Sequence, residues 1–188
     1  MNDNLLRLLQ RKAVQELGDL CERISACAGE ATAVAGSGNP VADVVLVKAS
    51  PSPEEEQSAR AFSGQAGEVV TKSMQRLELD SSLLYLTNLA KCSRHRDSAC
   101  AARCGSYLAE ELLVVQPRVI LLMGEPAYET VRASYGLETA FAPGLCERVQ
   151  GGPLLVATVD FASAMKQDAS KRALWRDFQV LAREYKKS

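Results

Sequence analysis

Six cysteines, Cys21, Cys27, Cys92, Cys100, Cys104 and Cys146, are more thiols than packing alone asks of a chain of this length. Disulfides are not expected in a reducing compartment, so the thiols either ligate a soft metal centre or sit in the core as small apolar groups. The other residues able to do chemistry stand just after short apolar runs. Lys48 and Ser50 follow "VVLV", Asn88 closes "LLYLTN", and Asp160 follows "LLVATV". A lysine supplies a cation, an ionised carboxylate only accepts hydrogen bonds, and a primary amide both donates and accepts. His95, in "CSRHRD", is the one histidine and is expected in solvent.

The elements that must position these residues are legible from hydrophobic spacing. Leu5, Leu9, Leu17, Leu20 and Ile24 recur at mostly helical intervals and predict an N-terminal amphipathic helix. A breaker cluster, "GSGNP", leads into the apolar run Val44 to Val47, which reads as a buried strand. Helical spacing returns through Val69, Val70, Met74 and Leu77. Further strands follow at "LLYLTNL", Val119 to Met123 and "LLVATV", with helices after Cys100, near Pro126 and over the C-terminal "ASKRALWRDFQVLAREYKKS". Four short strands, too apolar to face water on one side, predict a mainly parallel four-stranded sheet in a three-layer α/β/α sandwich. Ligands of such sheets bind beyond the carboxyl ends of the strands, so the segments 48–62, 87–96, 124–128 and 159–166 are the ones to interrogate.

Composition limits the partners. The chain has 188 residues, 47% of them hydrophobic, enough for one domain spanning 1–188, and its net charge is -1. A broad cationic field is therefore excluded, and any contact with nucleic acid must be local. With no leader-like N-terminal segment and no apolar run near the roughly 20 residues that span a bilayer, a cytoplasmic protein is expected.

The order "GSGNPVADVVLV", "AFSGQAG", "LYLTNLAKC", "QPRVILLMG", "LLVAT" and "ALWRDFQVLA" resembles the uracil-DNA glycosylase superfamily, and most of all its iron-sulfur family 4 branch. The likeness runs from about Leu17 to Glu184. It implies a glycosylase-type fold, uracil-containing or single-stranded DNA as partner, and a site in which Phe62 stacks on an extruded base while Asn88 reads its hydrogen-bonding edge.

The departures bear on chemistry. Where the family has "GEAPG", whose acidic residue and backbone amides help place the attacking water, this chain has Lys48, Ala49, Ser50, Pro51 and Ser52. Where the family has "HPS", whose histidine stabilises the departing base, it has Asp160, Phe161 and Ala162. An anionic Asp160 cannot donate to a developing oxyanion. Two compensations are conceivable: Asp160 as general base on water, or Lys48 as the positive charge near the leaving base, with Ser50 in the same loop. The resemblance thus implies either a glycosylase of weak or lost activity or a silent member that binds nucleic acid, a nucleotide or a protein.

The same resemblance implies a 4Fe-4S cluster. Cys27, Cys92 and Cys104 match its first, third and fourth ligands, but Glu30 stands where the second thiolate belongs. Cys21 is a substitute about 9 Å of helical rise from Cys27, and Cys100 is another. Zinc at that site, or buried free thiols, are the alternatives. "SAMKQDASKR" takes the place of the family's minor-groove loop: Met165 could act as an apolar wedge, and Lys166, Lys171 and Arg172 could neutralise phosphates, or the segment is simply a solvated helix start. "SRHR" adds cations to the same face, while "PEEEQ" nearby is expected to repel phosphate. A monomer is expected.

Overall fold

The computed structural model describes residues 3–93 and 98–187. Four parallel strands form its centre: β2 (Val44–Lys48), β3 (Leu84–Asn88), β4 (Val119–Met123) and β6 (Leu154–Thr158). Two short strands, β1 (Ser37–Gly38) and β5 (Cys146–Arg148), extend the sheet to six, in the order β1-β3-β2-β4-β6-β5. Both edge strands run antiparallel to their neighbours. They escape sequence reading because, at two and three residues with exposed positions, they carry no apolar run. The four central strands follow the expected apolar runs, and all five residues of β4 and of β6 are buried.

Successive side chains of a strand point to opposite faces, which divides the core in two. Val44, Leu46, Leu121, Met123 and Val156 pack with Val70, Met74, Phe178 and Leu181, from α3 (Gln65–Arg76) and α7 (Asp168–Lys187). Val45, Val47, Ile120, Leu122 and Leu155 pack with Leu108, Leu112, Tyr128 and Val131, from α4 (Ser98–Val115) and α5 (Glu125–Ser134). Helices therefore cover both faces, as the apolar strands require. The remaining helices are α1 (Asp3–Ala28), the short α2 (Pro53–Ser58) and α6 (Phe161–Lys166). In α1 the expected apolar stripe splits: Leu20 and Ile24 are buried, whereas Leu5 and Leu9 are exposed. Among the described residues no helix is long and apolar enough to cross a membrane.

One buried polar network ties β3 to α4. The Lys91 ammonium donates to Glu111 Oε2 at 2.6 Å and to Thr87 Oγ1 at 2.8 Å. Thr87 and Tyr85 donate in turn to the two Glu111 oxygens, at 2.8 and 3.3 Å. Burial, followed by the charge of Glu111, pushes the Tyr85 phenol far above its ordinary range and keeps it a neutral donor. Removing one partner of a buried ion pair leaves an uncompensated charge, which typically costs about 3 to 5 kcal/mol. Glu111→Ala is therefore expected to lower unfolding stability by about that amount in a denaturant titration; an unchanged midpoint would mean that water reaches Lys91.

Candidate active site at the carboxyl ends of the strands

Pairing register places Lys48 level with Asn88 on one side and Met123 on the other, with Met123 level with Thr158. These four residues close the central strands in a single row, and the loops that follow bring Phe62, Gly124 and Asp160 to the same end. The backbone at Gly124 has φ 91°, and a Cβ there would stand 3.3 Å from Asp160 Cβ. Glycine permits that close approach of the β4 and β6 loops.

The loop after β2 is organised by a residue that sequence reading assigned to a repelling surface run. Glu55 is wholly buried. Its Oε2 lies 2.5 Å from the Lys48 ammonium and accepts from the Ser52 N–H at 2.6 Å, while its Oε1 accepts from the Phe62 N–H. Lys48 also donates to the Ser50 carbonyl at 2.6 Å, so Ser50 enters the site through its backbone. Burial pushes the Lys48 pKa below the ordinary lysine value, and the Glu55 carboxylate opposes part of that shift. "PEEEQ" is thus not a uniform anionic face: Glu54 is exposed, but Glu55 is matched by Lys48. The signal was available in Ser52-Pro53-Glu54-Glu55, a serine followed three residues later by glutamate, which is a capping box; Ser52 caps α2 and Glu55 reaches back to it.

Phe62 is 4% exposed and has φ 56°, a left-handed conformation that bulky side chains seldom adopt. The bond to Glu55 and close packing hold it there: a Cβ on Gly67, in the first turn of α3, would collide with the Phe62 carbonyl at 2.1 Å. The Lys48 ammonium lies 5.6 Å from the Phe62 ring centroid, within cation–π range. Asn88 is fully buried, yet among the described residues its side-chain oxygen and nitrogen have no hydrogen-bond partner. An unsatisfied buried polar group costs about 1 to 3 kcal/mol, so two on one amide mark a place where a ligand's donor and acceptor would be welcome.

Asp160 caps the N-terminus of α6: its Oδ1 accepts from the Ser163 N–H at 2.9 Å and from the Ser163 hydroxyl at 3.2 Å. The other oxygen is not committed to the cap and lies on the Gly124 side. Lys48 feels the Asp160 charge. The structure thus brings Lys48, Ser50, Phe62, Asn88 and Asp160 to one end of the sheet. Met165 is instead half-buried against the α3–α7 core, and Lys166 is exposed beside it. The cationic run Arg94 to Arg96, with His95, lies outside the described residues.

The family model for the uracil DNA glycosylase superfamily matches residues 35–179, and the chain belongs to that superfamily. Three relatives are called type-4 uracil-DNA glycosylases. That of Archaeoglobus fulgidus is 28% identical over 135 residues, 66% of this chain and 68% of that protein. That of Sulfurisphaera tokodaii is 25% identical over 121 residues, covering 62% and 55% of the two chains. That of Thermotoga maritima is 30% identical over 98 residues, covering 50% and 51%. The chain thus spans about two thirds of the first relative's length and little more than half of the others'.

A four-iron cluster needs four thiolates facing one point. Cys104 is buried, within interaction range of Cys92 and Cys100; burial pushes its thiol pKa up, and a backbone hydrogen bond at Lys91 opposes part of that shift. Cys27 is turned to the Tyr107 hydroxyl. Cys21 lines a separate cavity of about 260 Å³, with Tyr85 and Glu111, because the unbroken α1 carries it about 9 Å away from Cys27. Among the described residues, no three of Cys, His, Asp and Glu are grouped to hold a metal ion. Among the described residues Cys92 and Cys100 lie within range of Cys104, but Cys27 and Cys21 are directed elsewhere, so the four thiolates of the cluster do not converge. Anaerobically purified protein is expected to be colourless; brown protein bleached by Cys92→Ala or Cys104→Ala would require Cys27 to turn from Tyr107 into a ligand shell.

Proposed function

We propose that the chain is a base-excision-type uracil-DNA glycosylase relative that holds an extruded base between Phe62 and Asn88 and hydrolyses the glycosidic bond weakly or not at all. The observation that carries this reading is the fully buried Asn88 amide with neither polar atom satisfied. A flipped uracil presents a donor and an acceptor along one edge, and it would meet both while its ring lies against Phe62. Kinship with proteins named uracil-DNA glycosylases supports DNA as the partner. On this reading a single domain acts as a cytoplasmic monomer on uracil-containing or single-stranded DNA.

The weak hydrolysis follows from charge. Stabilising a departing base needs a hydrogen-bond donor or a cation at the site of the developing negative charge. Asp160 offers neither, and one of its oxygens is committed to capping α6. Lys48 is the cation nearest Phe62, but Glu55 already neutralises it. Asp160 Oδ2 remains able to accept a proton from water, which is the one catalytic step this arrangement supports. The capping role of Asp160 equally favours a second reading, a binding module without hydrolysis.

Binding and excision assays separate the parts. Phe62→Ala is expected to weaken binding of a uracil-containing oligonucleotide by roughly 1 to 3 kcal/mol, and Asn88→Asp to change which base is preferred. Unchanged binding in both variants would return the two residues to the scaffold. Uracil excision by the natural chain is expected to be slow or undetectable, since losing one oxyanion-type donor commonly costs about 100- to 1000-fold. Ala49→Glu with Asp160→His should raise it more than either change alone, because the two groups would act in one transition state. Rapid excision abolished by Asp160→Ala would instead identify Asp160 as an effective general base.

A further inference from the structure

A second concavity, of about 550 Å³, opens between α3 and α7 beside Met165. Its rim carries four cations, Lys72 and Arg76 from α3 and Lys171 and Arg172 from α7, and among the described residues no carboxylate lines it. The nearest acid in contact is Glu68, 3.3 Å from Lys72 in a pair exposed on both sides, which leaves most of the field intact. In a chain of net charge -1, four cations around one cleft, one of them in an exposed pair with Glu68, are a local concentration that the whole molecule does not share. The floor is apolar, with Leu174, Met165 and the half-buried Trp175. The Arg76 guanidinium lies over the indole, 6.0 Å from its centroid.

Cations alone would fit any anion, and an apolar floor alone would fit any hydrophobe. An indole face with phosphate-binding cations on both walls fits a ligand that alternates planar rings with phosphates. The cleft is also placed to receive a strand that has already met the candidate base site. Gln65, at its edge, is three residues beyond Phe62, and Met165 lies on the helix that Asp160 caps. We infer that the α3–α7 cleft is a path for single-stranded DNA, with one base stacked on Trp175 and the flanking phosphates held by Lys72, Arg76, Lys171 and Arg172. The inference rests on the DNA-directed reading above but uses none of the residues of the base site.

Trp175 is the one tryptophan in the chain, so its fluorescence reports occupancy of the cleft directly. A short oligothymidylate, which contains no uracil, is expected to quench it. Each phosphate neutralised on a single strand contributes about 0.7 to the slope of log affinity against log salt, so four contacts predict a slope of about -3. Lys171→Gln with Arg172→Gln should reduce that slope by roughly 1.4 and weaken binding, at exposed positions where folding is not at stake. In anisotropy measurements with a labelled strand, Trp175→Leu should weaken binding about fivefold to a hundredfold, the range for stacking one base on an aromatic, and Trp175→Phe should recover part of it. Lys12→Gln, an exposed cation of α1 that lines no part of the cleft, should leave oligothymidylate quenching unchanged. The two readings stay separable, because loss of uracil preference with oligothymidylate quenching intact removes the base site alone.

Three results would overturn the inference. Quenching by polyaspartate equal to that by the oligonucleotide would identify a site for acidic chains with no role for bases. Thymidine monophosphate binding as tightly as the oligonucleotide would make the cleft a nucleotide pocket and not a strand path. Uracil-dependent binding that persists with no change in Trp175 fluorescence or salt slope would leave the base site standing and the cleft empty of DNA.

Discussion

A lysine ammonium at the carboxyl end of a central parallel strand must have its charge met where it stands, because the sheet around it offers no water. Lys48 is 5% exposed, and Glu55 meets it. That single pair sets the geometry of the surrounding loop. It draws the first turn of α2 down onto the strand end, fixes the Ser52 and Phe62 amides on one carboxylate, and holds Phe62 in a backbone conformation it would not otherwise keep. Buried pairs of this kind contribute little net stability against a well-packed apolar alternative, but they are expensive to break from one side. Their effect here is positional: Lys48 cannot leave Glu55 cheaply, so the cation beside the Phe62 ring is neutralised in place.

The charges at this end of the sheet are largely committed to one another. The Asn88 side-chain amide at the end of β3 has no hydrogen-bond partner among the described residues, and the Phe62 ring lies near the Lys48 ammonium. Asp160 spends one oxygen on the start of α6. The protein's second buried ion pair, Lys91 with Glu111, lies nearby beneath α4 and is fully hydrogen-bonded through Thr87 and Tyr85. Both buried pairs are hydrogen-bonded within the protein, and Asn88 belongs to neither.

The cysteines show why a ligand set is hard to judge from spacing. Cys92, in the segment after β3, comes within interaction range of Cys104 in α4, as does Cys100 from the same helix. Cys21 and Cys27 share α1, and because that helix runs unbroken to Ala28 they reach different surroundings, one beside Tyr85 and the other beside Tyr107.

By itself, the sequence determined the central architecture. Apolar runs at 44–47, 119–123 and 154–158 are too hydrophobic to have a wet face, and helical spacing between them forces parallel pairing with helices on both sides. The motifs ending those runs also placed Lys48, Phe62, Asn88 and Asp160 at one end of the sheet, since a parallel sheet gathers its strand ends. Only the tertiary structure decided what those side chains face. Glu55 reads as one of three consecutive surface glutamates until the capping box turns it inward to Lys48. Trp175 and Arg76 are about a hundred residues apart in the chain and become neighbours only when α3 and α7 pack on the same side of the sheet. Local pattern follows from short-range sterics and hydrophobic periodicity, which a sequence displays directly. Pairing of charges, burial of an amide and convergence of cations depend on contacts across the fold, which no local window contains.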